Sequence, residues 1–167
     1  ERGYFMESFN EKTFQNGIGS EVHFVQDNQS FSSKGVLRGL HYQTGIHAQA
    51  KLVRVLHGEV LDVAVDIRPN SETFGQWQSV VLTAEKGNQF WVPAGFGHAF
   101  LALEDDTIFC YKCTEVYAPN HQVSIRWDDS DIRLDIPVEN VDVSEKDQNA
   151  LYLIEYIQQL KQISAIV

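Results

Sequence analysis

Apolar and polar residues alternate in short runs through the middle of the chain. Residues 51–56, 59–67, 76–82, 89–92, 98–103 and 107–117 each carry the period-two pattern of a β-strand. Turn formers punctuate them: His57-Gly58, Pro69-Asn70-Ser71, Glu85-Lys86-Gly87-Asn88, Pro93-Ala94-Gly95, Glu104-Asp105-Asp106 and Ala118-Pro119-Asn120. Strands at such even spacing predict an antiparallel sandwich or barrel. The period changes near the C-terminus, where Leu151, Ile154, Ile157 and Leu160 recur at helical spacing. Ser144-Glu145-Lys146-Asp147 precedes them as a capping box and predicts one amphipathic helix over about 145–162. A helical turn is expected over 11–16. No repeat, low-complexity stretch or linker divides the chain, so 1–167 reads as one all-β domain with short flanking helices and a C-terminal helix.

Composition narrows the function classes. The 167 residues suffice for a hydrophobic core without disulfide staples. Acids outnumber bases 23 to 13, a formal charge of -10. That surplus argues against nucleic acid and anionic membranes as partners, since both attract basic faces. No apolar run reaches the ~20 residues that span a bilayer, and no signal peptide pattern is present. The chain begins at Glu1 rather than Met, so a preceding N-terminal segment is expected. Cys110 and Cys113 have C-x-x-C spacing, but the redox motif belongs at a helix N-terminus. In a strand, positions i and i+3 face opposite sides. Unpaired cysteines fit a reduced, cytoplasmic protein.

Two glycine-framed segments carry the candidate chemistry. The first runs Gly35-Val36-Leu37-Arg38-Gly39-Leu40-His41-Tyr42-Gln43 and on to Lys51 and Gly58; the second runs from Gly87 to Pro93-Ala94-Gly95-Phe96-Gly97-His98. Together they resemble the paired motifs of the cupin superfamily, which implies a small jelly-roll β-barrel. Metal-binding cupins place two histidines and a glutamate in the first motif and a third histidine in the second. Here His41 and His98 are kept, Gln43 replaces the second histidine, and Lys51 falls at the glutamate position. A lysine repels a divalent metal, yet its charge can steady a developing oxyanion. The reading is therefore a pocket with no metal and no cofactor.

Longer segments narrow the resemblance. Arg2-Gly3-Tyr4-Phe5, Phe24-Val25-Gln26-Asp27-Asn28, Ala48-Gln49-Ala50-Lys51-Leu52-Val53-Arg54-Val55, the run from Gly58 to Arg68, Phe74-Gly75-Gln76-Trp77 and Tyr111-Lys112 are similar to the dTDP-4-dehydrorhamnose 3,5-epimerase family. Ile136-Pro137 departs from its more common Trp-Pro. The resemblance implies inversion of C3 and C5 in a nucleotide-linked 4-keto-6-deoxyhexose and a homodimer. Such chemistry needs a base, a charge for the enolate and an acid on the opposite face. By resemblance these are His41, Lys51 and Tyr111, with Asp147 orienting His41. The resemblance assigns the nucleotide to Arg2, Glu7, Gln26, Asn28 and Arg38, and Tyr117 is added as a pocket residue. Asp62 and His98 are expected to line the same pocket: Asp62 shares a strand face with Ala64 and Asp66, and acids facing a barrel interior need partners, here His41 or Lys51. Plainer roles stay open: Asp147 as the capping acid, Asp142 in its place beside His41, Lys51 as a solvated strand residue, Tyr111 as an interior aromatic, His98 as a structural residue. A single-carbon epimerase, a ketoisomerase, a metal-dependent cupin enzyme and a sugar-binding barrel are the alternatives.

Overall fold

The alternating runs pair into two stacked sheets. The structure is a computed structural model that describes residues 2–164, the last two by backbone alone. Its elements are α1 (Glu11–Ile18), β1 (Gln26–Ser32), β2 (Val36–Gln43), β3 (Lys51–His57), β4 (Glu59–Asp66), β5 (Trp77–Thr83), β6 (Gln89–Val92), β7 (Phe96–Ala102), β8 (Thr107–Cys113), β9 (Gln122–Ser124), β10 (Asp142–Val143), α2 (Glu145–Gln148) and α3 (Leu153–Ser164). One sheet runs β1-β8-β3-β6 and the other β10-β2-β7-β4-β5, with β9 also on β2. Pairing is antiparallel apart from β10, which runs parallel to β2. The antiparallel jelly-roll expectation holds. No helix among the described residues is long and apolar enough to cross a membrane.

Two apolar clusters hold the sheets. Val53, Val55 and Phe109 of the four-stranded sheet meet Val60, Leu82 and Phe100 of the other and fill the space between them. A second cluster covers the opposite face of the larger sheet, where Leu61, Val63 and Val65 pack with Ile125, Ile132, Leu153 and Tyr156. Both faces of β4 are therefore covered, which explains its valine-rich run from Val60 to Val65. Burying those side chains contributes roughly 1.5–3 kcal/mol each.

Three boundaries differ from the sequence reading. The C-terminal helix is two helices. Leu151 forms a parallel bridge with Ile125, and its carbonyl accepts from the Arg126 amide, so the sheet claims backbone that a continuous helix would use. A new start follows, with the Asp129 carboxylate accepting from the Leu153 amide at 2.7 Å. The run expected to reach Tyr117 stops at Cys113. Beyond it one backbone bond remains, from the Thr114 amide to the Ala50 carbonyl, and side chains take over: Ala50 N–H donates to Thr114 Oγ1, and the Glu115 carbonyl accepts from Gln49 Nε2. Near the start, α1 runs on to Ile18, capped by Asn10 and ended by Gly19 at φ 72°.

Candidate active site

The interior between the sheets changes character toward one end. Along β3, Val55 and Val53 lie in the apolar cluster, and Lys51, next on the same face, lines a cavity of about 280 Å³. The other lining residues are Gln26, Asn28, His41, Tyr42, Gln43, Gln49, Tyr111, Tyr117 and Gln122, each with a polar group. A hollow of about 330 Å³ opens beside Ser8, Phe9 and Cys110; it contains neither His41 nor Lys51, so the chemistry lies with the smaller cavity.

His41 sits on β2 with its Nε2 2.5 Å from Asp147 Oδ1. Asp147 is almost fully buried, and its second oxygen accepts from the Gly39 amide at 3.2 Å. The Ser144 hydroxyl accepts from the Asp147 amide, capping α2. The capping-box geometry and the histidine contact therefore coexist: the backbone of Asp147 is capped while its side chain reaches β2. Asp142 lies exposed on β10, and the carboxylate bonded to His41 is that of Asp147. Burial pushes the Asp147 carboxyl up, but the bonds from His41, Gly39 and Ser144 outweigh it and hold the group below the usual carboxylate range. An ionised Asp147 accepting from Nε2–H leaves the lone pair on Nδ1, the form a general base needs.

Lys51 reaches the same space, its Nζ 5.9 Å from the centre of the Tyr111 ring. Burial pushes its ammonium below the ordinary lysine value; Cys113 and Asp62 pull the other way. Tyr111 is pushed up, first by burial and then by Cys113, so its phenol is a proton-holding acid at neutral pH. The carboxylate of Asp62 is 0% exposed and lies 3.0 Å from His98 Nε2 through both oxygens. Burial raises Asp62 above the usual carboxylate value, while His98 and Lys51 lower it. The expected partner of Asp62 was His41 or Lys51; the structure gives it His98 by hydrogen bond and Lys51 by charge. Asp66, on the same face, is taken by Arg68, Ser71 and Thr73.

Six of the twelve sequence-derived site residues line the cavity: Gln26, Asn28, His41, Lys51, Tyr111 and Tyr117. Asp147 supports one of them from behind. Asp62 and His98, expected as pocket residues, are buried and are not among the residues that line the cavity. Arg38 is exposed and donates to Ser32 Oγ and the Phe31 carbonyl, and its charge acts on Tyr111 of the cavity. Arg2 and Glu7 stand on an exposed N-terminal segment with Glu7 bound to Asn10, so this chain does not bring either to its own cavity. Gln49, Gln122 and Tyr42 are lining residues the sequence did not single out. Among the described residues, no three His, Cys, Asp or Glu side chains group as metal ligands. Cys110 and Cys113 are free and face opposite sides of β8: Cys110 donates to Gln29, while Cys113 lies buried and accepts from Asn28.

The chain is similar to known proteins over most of its length. The family model described as dTDP-4-dehydrorhamnose 3,5-epimerase matches residues 1–155. A dTDP-4-dehydrorhamnose 3,5-epimerase of Methanothermobacter thermautotrophicus is 57% identical over 152 residues, covering 89% of this chain and 81% of its own. The crystal structure of dTDP-6-deoxy-D-glucose-3,5-epimerase from Legionella pneumophila, in complex with dTDP-4-keto-L-rhamnose, superposes with TM-score 0.89 at 51% identity, over 92% of this chain and 82% of that one. A 3'-monoepimerase from Streptomyces bikiniensis, in complex with dTDP-quinovose, gives TM-score 0.86 at 35% identity, over 92% and 78%.

Proposed function

This chain belongs to the dTDP-4-dehydrorhamnose 3,5-epimerase family, and from that premise we propose how its residues share the work. It is an isomerase that inverts C3 and C5 of dTDP-4-dehydro-6-deoxy-D-glucose, giving dTDP-4-dehydro-L-rhamnose. Both carbons flank the C4 ketone, so each C–H is acidified by it. His41 Nδ1 removes the proton, and the electron pair moves onto the ketone oxygen. The Lys51 ammonium holds the resulting enolate, a role that is strongest in a water-poor cavity. The Tyr111 hydroxyl returns a proton to the opposite face of the carbon, and solvent resets both side chains. Asp147 steadies the imidazolium and fixes the ring tautomer. The Asp62–His98 pair, outside the lining, supplies negative charge that favours the protonated Lys51. Gln26, Asn28 and Tyr117 serve as sugar and nucleotide contacts.

The single observation that carries this reading is the meeting of His41, Lys51 and Tyr111 on one cavity, with Asp147 behind His41. Its test is NMR of the product formed in deuterated water. Deuterium at both C3 and C5 is expected. No label at either carbon overturns the mechanism, and label at one carbon alone points to the single-carbon reading.

Arg2 and Glu7 are not among the residues lining the cavity, and Tyr4 and Phe5 are 88% and 98% exposed in the isolated chain. A homodimer in which the N-terminal segment reaches the neighbouring cavity accounts for both facts. Sedimentation equilibrium checks it, with a monomer at micromolar concentration as the contrary result. The two free thiols support a reducing compartment, the cytoplasm.

A further inference from the structure

Gln43 occupies the position where a metal-binding cupin has its second histidine, and its amide is almost fully occupied. It is 3% exposed. Its Nε2 donates to the His47 carbonyl at 2.7 Å and to the Val116 carbonyl at 3.1 Å, and its Oε1 accepts from the Ala118 amide at 2.7 Å. These bonds seize the backbone on both sides of Tyr117. Tyr117 is itself held at its amide by Gln26 Oε1 and at its hydroxyl by Gln122 Oε1, and both glutamines line the cavity. The segment contains no strand or helix of its own, so side-chain bonds must replace a backbone ladder. A neutral histidine has one donor and one acceptor and cannot make these three bonds.

We propose that Gln43 is a positioning residue: it braces the 116–118 segment so that Tyr117 stands as a preformed wall of the sugar-nucleotide cavity. The exchange of histidine for glutamine thereby turns a ligand position into the anchor of a binding wall. This rests on the epimerase reading for the identity of the occupant. The brace acts on binding, because Tyr117 contacts ground state and transition state alike, so its loss weakens affinity and raises KM more than it lowers kcat.

The test compares Gln43→Met and Gln43→Glu, each made in the native chain and in a Tyr117→Ala background. Calorimetry with dTDP-glucose, which lacks the ketone, measures affinity independently of turnover, and steady-state kinetics on the 4-keto sugar separates KM from kcat. Gln43→Met is expected to weaken dTDP-glucose about tenfold in the native background and to change nothing further once Tyr117 is absent. Gln43→Glu keeps only the acceptor for the Ala118 amide and is expected to behave the same way, which covers a Met variant that fails to fold. Unchanged affinity, or an equal loss in both backgrounds, overturns the brace. Failure of the unmodified chain to turn over the keto sugar overturns the epimerase reading instead, and leaves the affinity comparison standing.

Discussion

Lys51 and Val53 lie two residues apart on one face of β3, yet they belong to different media. Val53 meets Val55, Val60, Leu82, Phe100 and Phe109 in a dry half of the barrel interior. Lys51 opens onto the half lined by glutamines, tyrosines and His41. The same strands build both. β8 places Phe109 in the dry half and Tyr111 at the boundary, and β4 places Val60 in one half and Asp62 toward the other. The difference shows what the dry half contributes to the chemistry. It stops water from approaching Lys51 and Asp62 from below, and so it makes each charge costly to hold and strong in effect. Rigid packing also fixes where those charges stand.

That division can be broken from either side. The largest change is expected in the dry half, where Phe109→Ala removes a 0%-exposed ring stacked on Phe100. It should lower stability by about 3–5 kcal/mol in urea unfolding while folded enzyme retains turnover within about tenfold. A loss of turnover as deep as that of a catalytic variant would show that the halves are not separable. In the wet half, His41→Asn should cut kcat by about 10³-fold with little change in urea midpoint. Residual wash-in of solvent deuterium at the native rate would remove His41 from the base role.

Lys51→Met should sharpen the contrast, because one substitution moves the two halves' properties in opposite directions. kcat falls by about 10²-fold, while stability rises as a buried charge disappears. The sign follows from the lysine's lowered folded value: folding disfavours the ammonium, so its cost is present at neutral pH and fades as pH rises through that value. The stability gap between variant and native chain should therefore close at alkaline pH, where native turnover also falls. A gap independent of pH would contradict this. The smallest effect is expected for Asp147→Asn on stability, about 2 kcal/mol. Its folded value is held below the ordinary carboxylate range, so the native advantage is present above that range and is lost as pH falls through the folded value. Denaturation of both proteins between neutral and acid pH measures it.

Legibility in the sequence followed the range of the interactions. Most strands from Lys51 to Cys113 were readable because a strand with one apolar face writes its own alternation, while β4, covered on both faces, was readable from its valine-rich run. The break between α2 and α3 was not, since Leu151 keeps helical spacing in the sequence while its backbone bonds to residues more than twenty positions earlier. His41, Lys51 and Tyr111 came from motif resemblance, and their shared cavity is a fact of three dimensions. The facing of Asp62 into the interior was readable from alternation; its partner, His98, was not, because the β4–β7 register brings them together. Gln49 and Gln122 left no local trace, as a glutamine carries no periodic signal.

Gly39 has a consequence for anyone who would diversify this enzyme. Its amide donates to Asp147, and a Cβ built on it would lie 2.3 Å from the His98 carbonyl oxygen and 2.7 Å from the Ala99 Cα. Its φ of 116° also lies where side chains are strained. One atom added there pushes on the strand that bears His98 and, through Asp147, on the setting of His41. Mutational libraries that sample this position will return inactive clones whatever their chemistry, so the spot is a fixed point around which a substrate range can be varied but which cannot itself be varied.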